Sequence, residues 1–553
     1  MTRRERLVLH AVAAAVTLLV LAPLVLPGYV LRYDMVFVPR QPLRWDLVAP
    51  SGGLPRAVPQ DAVVSLLSLV APGWLLQRIA LVGAIYAAAL GAGRLVPAQR
   101  TLTRVVAAVG YAWTPFLAER LLLGQWGLLL AYAALPWLVA AANGLREGKP
   151  GALPRFVVAA GVSALTPTGG LLSMVSTIAL TVGRNKAWPK AVGAVAVLEL
   201  PWLVAAATTV ASGRSDPAGV AAFAARGENW SGPIGALAGT GGIWNAQTTP
   251  ASRGSALVPI VTLVLIALAG YGFVELRRRW PAGAAVRLAV LAGIGFLLAL
   301  LGVLPGTTEL LAWAVGRIPG AGLLRDGQKC LGPYALLLTT CAALGVERLA
   351  AKLAEPRARL VLVAAAVLPV AVLPDLAFGG AGRLRPVHYP ADWDRVAAQV
   401  AADPGEVLSL PFSEYLAYRW NGGRTVIDPA PRYLAADVLT DDTLRVGGVP
   451  IRGENPRAAE VRGLLAAGAP VSGTGVRWVL VQHEAGGTVP DSALSGLQRV
   501  YSGRYLDLYA NPAAAPGRPP RPIWRLILLG IDLAVAGLVI AAILRLRQSP
   551  TRW

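Results

Sequence analysis

Gly28-Tyr-Val-Leu-Arg32-Tyr-Asp34-Met-Val-Phe-Val-Pro-Arg40-Gln-Pro-Leu-Arg44-Trp-Asp46 follows an apolar run at 7–26. Such a run is long enough to cross the roughly 30 Å hydrocarbon core of a bilayer as a helix. Arg3, Arg4 and Arg6 precede it and mark its start as cytoplasmic. It is too long for a removable signal peptide and has no clear small-x-small cleavage site, so it reads as a retained signal anchor. The quoted stretch is then an external loop. Asp34 falls a few residues past the helix end, with Arg32, Arg40, Arg44 and Arg56 around it. A carboxylate among arginines at a membrane surface is suited to an anionic, lipid-linked substrate.

Working outward, the same alternation of apolar run and basic punctuation fills the chain. Its 553 residues are 55% hydrophobic and 15% charged, whereas a soluble domain carries about 25% charged residues. The net charge of +21 would indicate nucleic acid if it sat on a soluble face. Here the lysines and arginines punctuate the ends of apolar runs, which excludes nucleic acid as a partner and points to the lipid bilayer. Cys330 at a run boundary and Cys341 inside a run make no structural disulfide. With His10, His388 and His483 as the whole histidine complement, no histidine metal centre is expected. Neither a GxGxxG string nor a Walker A string occurs between 375 and 521.

Apolar runs at 7–26, 76–96, 105–116, 128–142, 156–165, 171–182, 191–211, 257–274, 286–304, 332–346, 360–373 and 523–544 give about twelve transmembrane helices. Each cytoplasmic connection then carries lysine or arginine, and both termini are cytoplasmic. The pair within 156–182 reads either as two spans or as a re-entrant pair. A further stretch, 61–75, starts at Asp61 as an N-cap and is interrupted by Pro72-Gly73, so it reads as an interfacial helix. The expected fold is an α-helical polytopic membrane protein with a small extracytoplasmic α/β domain. A transmembrane domain covers 1–374, with external loops 28–75, 212–255 and 305–331. The α/β domain covers 375–521, with strands at 406–410, 424–427, 476–481 and 505–509 and helices at 391–402 and 458–467. A final helix and cytoplasmic tail cover 522–553.

Asp34, Asp46, Glu119, Arg120, Arg325, Asp326 and Lys329 all fall in predicted external loops close to span ends. Lipid phosphates lie at that depth, where arginine and lysine make charge-assisted hydrogen bonds. A carboxylate there can take the proton of an acceptor hydroxyl. The same charges also suit interfacial anchoring and loop-to-loop salt bridges. The segment from Gly320 to Lys329 reads as an anion-binding turn or as a flexible connection. Glu199 and Asp532 lie inside spans, where an ionisable group marks either a transport path or an interior hydrogen bond. Trp230 and Trp244, beside Asn229, Asn245 and Gln247, suit carbohydrate stacking or an interfacial loop.

Four strings carry a resemblance: Pro55-Arg-Ala-Val-Pro-Gln-Asp61, Glu119-Arg-Leu-Leu-Leu-Gly-Gln-Trp126, Gly241-Gly-Ile-Trp-Asn245 and Leu324-Arg-Asp-Gly-Gln-Lys329. With the order of spans and domain, they resemble the GT-C superfamily of polyprenyl-phosphate-sugar glycosyltransferases. Among these they are most similar to actinobacterial cell-wall arabinofuranosyltransferases and their uncharacterised relatives, over about residues 1–375. The resemblance implies a base in the first external loop, matched by Asp34 and in second place by Asp46. It implies membrane-proximal cations for the donor phosphate, matched by Arg120, Arg325 and Lys329. Glu119, Gln125, Trp244, Asn245 and Asp326 would complete the substrate loops. The implied donor is a polyprenyl-phosphate-linked sugar, with arabinofuranose a candidate, and the implied acceptor is an envelope glycan or lipid. No cofactor is required, and a divalent cation is left open. The chain departs from the family in lacking a paired Asp-Asp in the first loop and the large carbohydrate-binding modules. Two other readings stand beside this one: a flippase for a lipid-linked envelope precursor, and a non-catalytic envelope assembly protein. All three place the chain in the plasma membrane.

Overall fold

The computed structural model describes residues 1–50, 54–183, 187–209, 213–514 and 522–548. The first helix, Arg3–Leu21, opens with a capping box in which Thr2 and Glu5 satisfy each other's backbone N–H groups at 2.7 and 3.2 Å. A single 3₁₀ turn, Ala22–Val25, ends it at Pro23. Helix ends leave carbonyls without partners, and here Arg78 supplies them. Its guanidinium donates to the carbonyls of Leu24, Leu26 and Gly28 at 2.7–3.1 Å. Next to it, Gln77 exchanges two hydrogen bonds with the backbone of Val30. Helix Gly73–Leu95 thereby fixes the start of the first loop.

Helices form at all twelve predicted places; positions 210 and 211 of the predicted run 191–211 lie outside the described residues. Among the described residues, seven helices are long and apolar enough to cross a membrane. They become eight if Glu355–Val372 and Pro374–Gly382, bent by 68°, count as one span. Thr101–Ala112, Ala152–Ser163, Pro167–Thr181 and Ala284–Leu300 have 12, 12, 15 and 17 residues. At 1.5 Å per residue these fall short of about 30 Å. By length, the structure thus bears out seven or eight of the twelve expected spans. Asp61 also differs from expectation: Pro59 occupies the N-cap of Gln60–Ser68, and Asp61 sits in the first turn. Its carboxylate pairs instead with Arg432 at 2.9 Å.

In the apolar window of Trp126–Arg146, 78% of the residues are buried, against 22% in Val258–Arg279 and 11% in Ile523–Gln548. The first is therefore central and the other two peripheral. Close approach is bought by glycine where two helices touch. A Cβ on Gly272 would lie 1.9 Å from the Cys341 carbonyl oxygen, and one on Gly345 would lie 2.1 Å from that of Leu268.

The α/β domain has nine strands among the described residues: β1 (Val407–Leu410), β2 (Tyr415–Ala417), β3 (Thr425–Ile427), β4 (Val438–Leu439), β5 (Leu444–Val446), β6 (Val449–Ile451), β7 (Trp478–Gln482), β8 (Gln498–Ser502) and β9 (Leu506–Ala510). Five form a mixed sheet in the order β4-β1-β7-β9-β8, parallel from β4 to β7 and antiparallel beyond. The fully buried β1 and β7 are apolar, as strands covered on both faces are, except for Ser409 and Gln482, where Gln482 Nε2 donates to Ser409 Oγ at 2.7 Å. The other four strands form two hairpins, β2-β3 and β5-β6. The first loop is stitched onto β3: Tyr33 N–H donates to Thr425 O at 2.7 Å, and Ile427 N–H donates to Tyr33 O at 2.9 Å. Tyr389 packs edge to face with Tyr29, Trp393 and Tyr433 across the same junction.

Candidate active site

A cavity of about 1830 Å³ lies between the membrane helices and the α/β domain. Asp34 stands at its wall on a tight turn, closed by Met35 N–H to Arg32 O at 2.9 Å. Gly124 makes this turn fit. It has φ +82°, and a Cβ there would lie 2.4 Å from Met35 N and 2.5 Å from Arg32 O. The half-buried carboxylate accepts two hydrogen bonds. Tyr415 OH donates to Oδ1 at 2.5 Å, and Gln125 Nε2 donates to Oδ2 at 3.2 Å.

Gln125 links Asp34 to a buried ion pair. Its Oε1 accepts from Arg120 Nη1 at 3.0 Å, and Arg120 makes a two-pronged pair with Asp326 at 3.1 and 3.3 Å. Lys329 approaches Asp326 at 3.4 Å. Burial raises the Asp326 carboxyl, but Arg120 and Lys329 outweigh it and hold the group below the ordinary carboxylate range. A continuous chain of polar contacts thus runs Lys329–Asp326–Arg120–Gln125–Asp34–Tyr415. It joins three loops and the α/β domain.

The predicted site residues divide by position. Asp34, Gln125, Trp244, Asn245, Arg325, Asp326 and Lys329 line the cavity. Arg120 does not line it; at 1% exposure its guanidinium is committed to Asp326 and Gln125 behind the wall. Glu119 also lies behind the wall. It accepts from Ile243 N–H at 3.2 Å, and burial together with the neighbouring Glu228 pushes its carboxyl well up. Glu228 is held below its usual value, despite burial, by the Glu119 hydrogen bond and by Arg253, 2.7 Å away. This buried carboxyl pair holds the strand of loop that presents Trp244 and Asn245.

Asp46 lies outside the cavity. It pairs with Arg44 at 2.7 Å, and burial exceeds that attraction, pushing its carboxyl up to about 6. Arg44 also donates to the carbonyls of Pro431, Leu434 and Ala436, so the pair fastens the first loop to the domain. Trp230 is exposed and donates to Ala256 O. Glu199 accepts from Trp202 Nε1 at 2.6 Å, and Trp202 reaches the cavity wall. Asp532 makes no hydrogen bond among the described residues.

Arg325 stacks over the Phe223 ring at 4.7 Å and makes no ion pair among the described residues. Burial, and then Arg56, push its guanidinium down from its usual value. The cavity also receives Glu414 and Tyr415 from the α/β domain, and these the sequence reading missed. A signal was present in Pro411-Phe-Ser-Glu414-Tyr415, a polar turn directly after an apolar strand. Among the described residues no group of three or more His, Cys, Asp and Glu side chains is placed to hold a metal ion.

Helices around a cavity, capped by a mixed-sheet domain that reaches into it, define a multi-pass membrane protein with a large cavity at the junction of bundle and domain. No family model matches the chain, and no curated protein matches it. Its fold is similar to that of part of the arabinofuranosyltransferase AftD from mycobacteria, solved by single-particle cryo-electron microscopy. The TM-score is 0.57 at 18% identity, covering 94% of this chain and 40% of that one. Two classes of an arginine-to-serine mutant of AftD give TM-scores of 0.56 and 0.53, also at 18% identity. The chain thus spans about two fifths of the length of the structures it resembles. At the level of fold, the resemblance carried by the four strings holds.

Proposed function

We propose that the protein is a membrane glycosyltransferase. It transfers a sugar, arabinofuranose on the analogy of AftD, from a polyprenyl-phosphate donor to an acceptor hydroxyl of an envelope glycan or lipid. One observation carries this reading: Asp34 faces a cavity between membrane helices and domain that also holds Arg325 and Lys329. Asp34, oriented by Tyr415 and Gln125, takes the proton of the acceptor hydroxyl as its oxygen attacks the anomeric carbon. Arg325 and Lys329 stabilise the phosphate that departs with the electron pair of the broken C–O bond. Inversion at the anomeric carbon follows from such a single displacement. Arg120 acts at one remove, setting the orientation of Gln125 and the charge on Asp326. The cavity opens on the extracytoplasmic side, and both termini are cytoplasmic.

The test is Asp34→Asn in purified protein supplied with a polyprenyl-phosphate-linked arabinofuranose and an oligo-arabinofuranoside acceptor. The amide preserves shape and one acceptor oxygen but cannot take a proton. General-base loss typically costs about 10²–10⁴-fold in rate, so turnover should fall by about that factor. Turnover like that of the wild type would remove Asp34 from the role.

A further inference from the structure

We infer that Glu414 and Arg56 form a diol-binding subsite, through which the α/β domain recognises a sugar inside the cavity. Glu414 stands in the turn between β1 and β2, with its side chain 15% exposed. Its Oε1 lies 3.7 Å from Arg56 Nη1, beyond hydrogen-bond reach. Its Oε2 is buried and makes no hydrogen bond among the described residues. Arg56 is 45% exposed and lines the same cavity. The two groups therefore offer unused acceptors and unused donors side by side.

The chemistry of that pair selects its ligand. A phosphate would suit Arg56, but the Asp34 carboxylate would repel it, and so would Glu414 in its ionised form. An ammonium would suit Glu414, but Arg56 and Arg325 would repel it. Vicinal hydroxyls satisfy both at once, since each O–H can donate to the carboxylate while its oxygen accepts from the guanidinium. The position is rigid. Asp428 N–H donates to Glu414 O at 2.9 Å, and β2 pairs with β3 through Tyr415 and Ile427. The next residue, Tyr415, holds Asp34 at 2.5 Å. A diol held by Glu414 and Arg56 would thus lie close to the candidate base. The aromatic rings of Phe412 and Trp244 line the same cavity and suit the apolar face of a sugar. Calling the ligand a sugar rests on the glycosyl-transfer reading; the diol chemistry does not.

The diol could belong to the sugar being transferred or to the acceptor. Full-length protein in nanodiscs would be titrated with methyl α-D-arabinofuranoside by saturation-transfer NMR. Farnesyl phosphate would serve as a sugarless donor mimic. Glu414→Gln and Arg56→Gln should each weaken glycoside binding at least tenfold and leave farnesyl phosphate within twofold. Glu414→Asp should recover part of the loss. Glycoside affinity unchanged in Glu414→Gln and Arg56→Gln, or no glycoside binding by the wild type, overturns the subsite. If saturating polyprenyl-phosphate-linked arabinofuranose displaces the glycoside, the diol belongs to the donor; joint binding assigns it to the acceptor. Glu414-dependent glycoside binding combined with full turnover by Asp34→Asn would retain the subsite and remove only the proposed base.

Discussion

Arg120 and Asp34 carry similar sequence signals, a charge beside a span, yet the structure gives them different work. Removing one partner from a buried ion pair typically costs about 3–5 kcal/mol, and Arg120 with Asp326 is such a pair, at 1% and 7% exposure. Arg120 is therefore framework, while Arg325, without an ion pair among the described residues, remains available to an anion. Glu414 makes the strongest claim at this scale. Its carboxyl is pushed up to about 7 from an ordinary 4.5 by burial, with Asp34 and Asp442 adding to the rise and Arg56 and Arg325 opposing it. An acid with a raised folded pKa holds its proton more tightly when folded. Its contribution to stability is full below about 4.5 and is lost as the pH rises through about 7. At about 1.4 kcal/mol per unit the swing is about 3 kcal/mol. Thermal denaturation from acid to neutral pH should show the wild type losing that stability, while Glu414→Gln stays nearly flat in comparison.

At the scale of elements, the turn that carries Asp34 depends on a backbone contact more than on any side chain. Gly124 follows the short helix Pro115–Leu122 and lies against the Arg32–Met35 turn. Gly124→Ala would place a Cβ against Met35 N and Arg32 O, both backbone atoms that cannot swing aside, in a left-handed conformation that itself costs about 1–2 kcal/mol. Asp34 should shift relative to Gln125 and Tyr415. A lowered Tm together with at least tenfold slower transfer is the expected outcome, and an unchanged Tm would show that the turn yields. The short helices follow the same logic. Pro167–Thr181 begins where Thr166 caps Gly169 N–H at 3.1 Å, and its partner Ala152–Ser163 is shorter still.

For the whole molecule, the decisive relation is the seating of the α/β domain over the cavity. Tyr33 with β3, Arg44 with the carbonyls near 431–436, and Arg432 with Asp61 attach the first loop to the domain at separate points. The assigned sidedness predicts a labelling pattern. In a background with Cys330→Ser and Cys341→Ser, Arg419→Cys should react with an impermeant maleimide in intact cells. Arg278→Cys should react only after permeabilisation. Both side chains are well exposed, at 83% and 68%, so accessibility reports side rather than burial. The reverse pattern would invert the topology.

By itself the amino-acid sequence determined the membrane class, the positions of the helices, and four strands and two helices of the domain. These follow from local quantities: apolar run length, charge at run ends, and alternation along strands. Local pattern could not give the lengths of the shorter helices, because apolar character does not measure where a helix stops. Nor could it separate Arg325 in the cavity from Arg120 behind it, or Asp34 from Asp46, since each pair differs only in what lies opposite. Glu414 and Tyr415 are 380 and 381 residues from Asp34 in the chain. Only tertiary structure brings them together, because backbone hydrogen bonds between Tyr33 and β3 place the turn after β1 beside the first loop.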